Sequence, residues 1–97
     1  SPTVGIEEFS PIITDITVYP NPTTDMINVA LEMKDATQVL ATLIDMNGEV
    51  IESKSIEMNT GKNQIKFNVS NLPTGIYNVL LFDENKNASV HEVMVTH

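Results

Sequence analysis

The sequence predicts an all-β fold, an antiparallel sandwich of about seven short strands. Three observations carry that expectation. Short segments alternate apolar and polar residues, most cleanly Ile27, Val29, Leu31 and Met33 against Met26, Asn28, Ala30 and Glu32. Clusters of Pro, Asn, Asp and Gly interrupt these segments at close intervals. No long segment sustains a helical period of apolar residues.

Taken in order, residues 1–11 hold Pro2 and Pro11 among Ser, Thr and two acids, with no sustained period. Proline discourages strand pairing, so this segment reads as a linker or a loosely attached first strand. Residues 12–97 read as the domain. From Ile12 the pattern is strand-like, with Ile12, Ile16 and Val18 expected on one face and Ile13, Asp15 and Thr17 on the other. Pro20 to Asp25 is a dense turn signal. Residues 26–33 form the cleanest strand, with one apolar and one mostly polar face. Residues 37–44 place Val39, Ala41 and Leu43 on one side, and 49–57 return as a mostly exposed strand. After Asn59-Thr60-Gly61, Ile65, Phe67 and Val69 alternate inward. Residues 76–82 are almost continuously apolar, which points to a central strand. Asp83 to Asn87 is a polar hairpin loop, and residues 90–96 form the final strand.

Ninety-seven residues make one small domain with one modest core. There is no cysteine, so sheet pairing and packing carry the stability. The net charge is −8, with five basic residues, all lysine. That balance argues against nucleic acid, which requires a basic face for its phosphates, and against docking on an anionic membrane. No stretch approaches the ~18 apolar residues of a membrane span, so no membrane insertion is expected. The chain starts at Ser1 without a signal peptide, and reads as a piece of a larger protein.

Three turn motifs stand in fixed order. Tyr19-Pro20-Asn21-Pro22 ends a strand, because proline removes a donor and Asn21 can bond its own backbone. Asp45-Met46-Asn47-Gly48 is a hairpin turn, since Asn-Gly tolerates positive φ. In Leu72-Pro73-Thr74-Gly75-Ile76-Tyr77, Leu72 is expected to plug the core. There Gly75 is expected to adopt a backbone conformation closed to other residues, and Tyr77 to bond a backbone carbonyl upstream, as in a tyrosine corner.

The chemistry of catalysis is thin. His91 and His97 lie six residues apart, about 20 Å along an extended strand, too far to share a metal. Asp45-x-Asn47 fails the spacing of a calcium loop, and Asp83-x-Asn85-x-Asn87 lacks the turn glycine and closing acid. No ordered nucleophile set appears. No catalytic residue, metal site or cofactor is expected.

Jointly, the three motifs and the apolar run Val93-Met94-Val95 near the end of the chain resemble the C-terminal sorting domain of the type IX secretion system of Bacteroidota. The resemblance covers residues 19–97. It implies an immunoglobulin-like β-sandwich without activity of its own, fused behind a cargo protein. It also implies two partners, an outer-membrane translocon and a sortase-like peptidase, and delivery of the cargo to the cell surface or medium. Under this reading Tyr19, Pro20, Asn21, Pro22, Asp45, Gly48, Leu72, Gly75 and Tyr77 are structural. Val93, Met94, Val95, Thr96 and His97 are the expected translocon-recognition residues, presented as a short strand able to pair with a receptor's sheet edge. Removing 93–97 is then expected to stop export and leave the fold mostly intact. The family's terminal segment carries basic residues where this chain has Glu92 and His97, which favours the apolar run over a fixed charge as the feature read. The alternative is a spacer or carbohydrate-binding module of a secreted enzyme. The absence of Trp disfavours sugar binding.

Overall fold

The computed structural model describes residues 12–84 and 87–97. The linker expected at 1–11 and Asn85 lie outside the described residues. Seven strands run in chain order: β1 Ile13–Tyr19, β2 Met26–Met33, β3 Thr37–Ile44, β4 Val50–Met58, β5 Gly61–Asn68, β6 Gly75–Phe82 and β7 Ala88–Val95. They form two antiparallel sheets, ordered β1-β2-β5 and β4-β3-β6-β7. β1–β2, β3–β4 and β6–β7 are hairpin neighbours, while the links β2–β3, β4–β5 and β5–β6 cross between sheets.

The strands form where side-chain alternation lets one face meet the opposite sheet. β2 buries Ile27, Val29, Leu31 and Met33, and β5 buries Ile65 and Phe67. From the other sheet, Val39, Ala41 and Leu43 meet Tyr77, Val79 and Leu81 of β6 and Val93 and Val95 of β7. Phe67 is fully buried, and each such large side chain stabilises the fold by about 1.5–3 kcal/mol. β6 lies inside its sheet, between β3 and β7, as its unbroken apolar run predicts. β4 extends one residue further than expected, and its last residue, Met58, joins the core.

The face assignment of β1 needs correction. The register between β1 and β2 shifts between Ile13 and Asp15, the mark of a β-bulge at Thr14. One extra residue reverses the alternation. Ile13 therefore packs against the core together with Ile16 and Val18, instead of facing away from them. Ile12 is also buried.

The two lateral sides of the sandwich differ. Between β4 and β5, Lys54 reaches across: its ammonium donates to the Lys66 carbonyl and stands 5.0 Å from the centre of the Phe67 ring. Between β1 and β7 a narrow, mostly apolar slot of about 80 Å³ remains, lined by Ile13, Ile16, Leu81, Asp83, Asn87, Ala88 and Ser89.

Antiparallel pairing sorts every connection to one of two poles. Tyr19 pairs with Asn28, Met26 with Asn68, Ile44 with Asn78, and Gly75 with Val95. The turn after β1, the β3–β4 hairpin, the β5–β6 corner and the end of β7 therefore share one pole. Ile12 enters at the other, where its carbonyl accepts from the Lys34 N–H at 2.7 Å.

Candidate functional site

The shared pole gathers all three sequence motifs and residues 94–97. Each motif is built by its own local chemistry. In the β3–β4 turn, Asp45 Oδ1 accepts from the N–H groups of Asn47 and Glu49, both at 2.9 Å. The Gly48 N–H donates to the Asp45 carbonyl at 3.0 Å, and Gly48 sits at φ +82°. Asp45 is thus a turn cap, and Gly48 supplies the left-handed position that L side chains avoid.

At the β5–β6 corner the Leu72 N–H donates to the Val69 carbonyl at 3.1 Å, and the Leu72 side chain packs on the core. The Tyr77 ring is buried and its hydroxyl donates to the Pro73 carbonyl at 2.7 Å, as expected of a tyrosine corner. Gly75 departs from expectation. Its φ is not left-handed, and a Cβ added there would meet only Tyr77 Cε1 at 4.0 Å. As the first residue of β6 it is extended backbone open to any residue. The left-handed glycines among the described residues are Gly48 and Gly61.

The first motif does more than stop a strand. Pro20 and Pro22 each follow a cis peptide bond. Asn21 Oδ1 accepts from the Met94 N–H at 3.0 Å, across 73 positions of sequence. Thr23 then pairs with β7 in parallel: its N–H donates to the Met94 carbonyl and its carbonyl accepts from the Thr96 N–H, both at 2.9 Å. Thr23 is almost wholly buried, and its Oγ1 donates to the Met26 carbonyl at 2.6 Å. The His97 N–H donates to Thr74 Oγ1 at 3.0 Å. Two motifs therefore clamp the end of β7. Thr23 lies outside the three motifs and Thr74 has no expected role within its own; each follows a proline by one residue, but nothing local marks it as a partner of β7. Tyr19 is exposed, and its hydroxyl accepts from Gln64 Nε2 at 2.8 Å.

This clamp changes how the expected recognition residues are presented. Val93 and Val95 have no exposed surface and belong to the core. The backbone of Met94 is already engaged by Asn21 and Thr23, so the end of β7 offers no free edge. On the folded surface remain the Met94 side chain, 39% exposed, His97, and part of Thr96.

The other candidates are dispersed. His91 faces inward, half-buried, with Nε2 3.1 Å from Ser89 Oγ, and burial holds its pKa below the usual histidine value. His97 stands at the motif pole. Asp83 Oδ1 accepts from the Asn87 N–H and Oδ2 from Asn87 Nδ2, both at 3.0 Å, which closes the β6–β7 loop. The described residues bring no three of His, Cys, Asp or Glu together in a metal-binding group. A larger concavity of about 320 Å³ lies at the far pole between Gln38, Met58, Asn59 and Glu84.

Two facing antiparallel sheets, with motif chemistry devoted to turns and to a strand clamp, define an immunoglobulin-like β-sandwich. A solved DUF3244 family protein with an immunoglobulin-like β-sandwich fold from Bacteroides vulgatus is similar in shape, with TM-score 0.59 at 13% identity over 87% of this chain and 99% of that one. A β-glucosidase from Listeria innocua matches with TM-score 0.49 and 12% identity, over 86% of this chain and 16% of that one. No curated protein is significantly similar in sequence. The profile of the secretion system C-terminal sorting domain matches residues 17–96, and the chain belongs to that family, the sorting domains of type IX secretion. Membership gives the domain a secretion-signal role.

Proposed function

We propose that this domain is a non-catalytic address tag. It carries a cargo fused before residue 12 through the type IX translocon of a Bacteroidota outer membrane. A sortase-like peptidase then removes the tag, and the cargo is attached to the cell surface or released. One observation carries the reading: the three motifs and residues 94–97 meet at one pole, while Ile12, the cargo side, lies at the opposite pole. A receptor can thus approach the motif pole without meeting the cargo. Recognition rests on Met94, Thr96 and His97 together with the Asn21-Pro22 turn beside them, in place of a free apolar strand. The family itself favours this role over that of a spacer.

The test is a periplasm-directed fluorescent protein fused ahead of residues 1–97 in a Bacteroidota host. Fluorescence is expected at the surface or in the medium. Met94→Lys with His97→Glu, both exposed, is expected to hold it in the periplasm, while Lys62→Glu, on the far sheet, is neutral. Periplasmic retention of the wild-type fusion with the domain folded would favour the spacer. Normal delivery of the double variant would remove the pole from recognition.

A further inference from the structure

We infer that the first half of β7 is a docking edge for an extended basic peptide strand, separate from the motif pole and independent of the sorting role. In the β6–β7 ladder, hydrogen-bonded and non-bonded residues alternate. Met94 turns its N–H and C=O outward to the clamp, so Ala88, Val90 and Glu92, which share its parity, turn theirs outward as well. Among the described residues these groups meet no partner, over an edge of roughly 16 Å at ~3.3 Å per residue. The other three edge strands are each blunted. β1 carries a bulge, β4 a bulge and Lys54, and β5 the exposed Lys62 and Lys66. Residues 88–92 pair in unbroken register and hold no Lys or Pro. Such an edge is a template for another strand.

The same side holds the mostly apolar slot between Ile13, Ile16 and Leu81, with Asp83 and Asn87 also on its wall. A strand added to β7 would turn alternate side chains toward it, and a Val-sized group matches its volume of about 80 Å³. The remaining side chains would lie beside Ala88, Val90 and Glu92, with Glu92 the charged member of the three, on a chain of net charge −8. Cross-strand pairing with Glu92 selects Lys or Arg there. The edge thus specifies its occupant by three features: backbone ladder, small apolar side chains inward, basic side chains outward.

The experiment is an amide NMR titration of the full chain with a Lys-Val-Lys-Val-Lys-Val peptide, and with the same peptide N-methylated at alternate amides. Shifts are expected at Val90, Glu92, Ile13 and Ile16, with the methylated peptide about tenfold weaker or worse, the worth of ~1.4 kcal/mol of lost ladder bonding. Val90→Pro removes an outward donor, and Ser89→Leu fills the slot. Each is expected to weaken binding about tenfold at unchanged melting temperature. If Val90→Pro does not fold, Ser89→Leu and the methylated peptide decide alone. Equal binding of both peptides, or no shift along 88–92, overturns the inference. So does concentration-dependent pairing of that edge with a second copy, or peptide-induced shifts in residues 1–11 showing that they already hold it.

Discussion

Tyr77 and the glycines show how single residues divide between local and inherited roles. Tyr77→Phe removes the bond to the Pro73 carbonyl, and since Pro73 is exposed water can replace it. The loss is expected near 1 kcal/mol, read as a lower denaturant midpoint at unchanged slope. Gly75→Ala is expected to leave that midpoint unmoved, because Gly75 is extended and a Cβ fits. Gly48→Val should cost roughly 1–3 kcal/mol, since φ +82° strains a β-branched residue although the space around it is open. His91 gives the domain a pH dependence. The unfolded chain binds its proton near 6.5, whereas burial in the fold pushes the pKa lower. As pH falls below about 6.5 the unfolded state takes the proton first, so stability drops until the folded pKa is passed. His91→Gln should flatten that part of a melting-temperature profile.

β7 is the element whose meaning changes most once its surroundings are known. Val93 and Val95 are core residues, each worth about 1.5–3 kcal/mol, and their backbone closes the ladder with β6. Deleting 93–97 is therefore expected to unfold a domain whose whole stability is of order 5–15 kcal/mol, visible as loss of its strand signal in circular dichroism. The burial of Val93 and Val95 thus argues against the expectation of an intact fold without its tail. A milder probe is Asn21→Ala, which removes the acceptor of the Met94 N–H. Hydrogen exchange at Met94 should accelerate while β6 and the β7 amides that bond inward to it, those of Ser89, His91 and Val93, stay protected. Most strand spans were legible, because alternation and turn residues are local. The β1 bulge was not, because nothing in Ile13-Thr14-Asp15 says which residue the partner strand skips.

Across the whole molecule, the two poles stand about 26 Å apart, the length of an eight-residue strand at ~3.3 Å per residue. A fluorescent protein fused directly before Ile12 joins the chain at the far pole, whereas one fused directly behind His97 joins it at the motif pole. Export assays of the two fusions should differ, with delivery expected only for the first. Equal delivery would show that the pole is not read in the folded state.

The sequence by itself determined the all-β class, the strand and turn positions, the tyrosine corner and the family resemblance, since each rests on alternation or turn chemistry within a few residues. The structure decided which strands lie side by side, that three separated motifs share a pole, and that Asn21 and Thr23 hold β7. These are pairings between segments as much as 73 positions apart. Their partners are selected by the mutual fit of apolar faces when the sheets close, and no local window of sequence contains both sides of that fit.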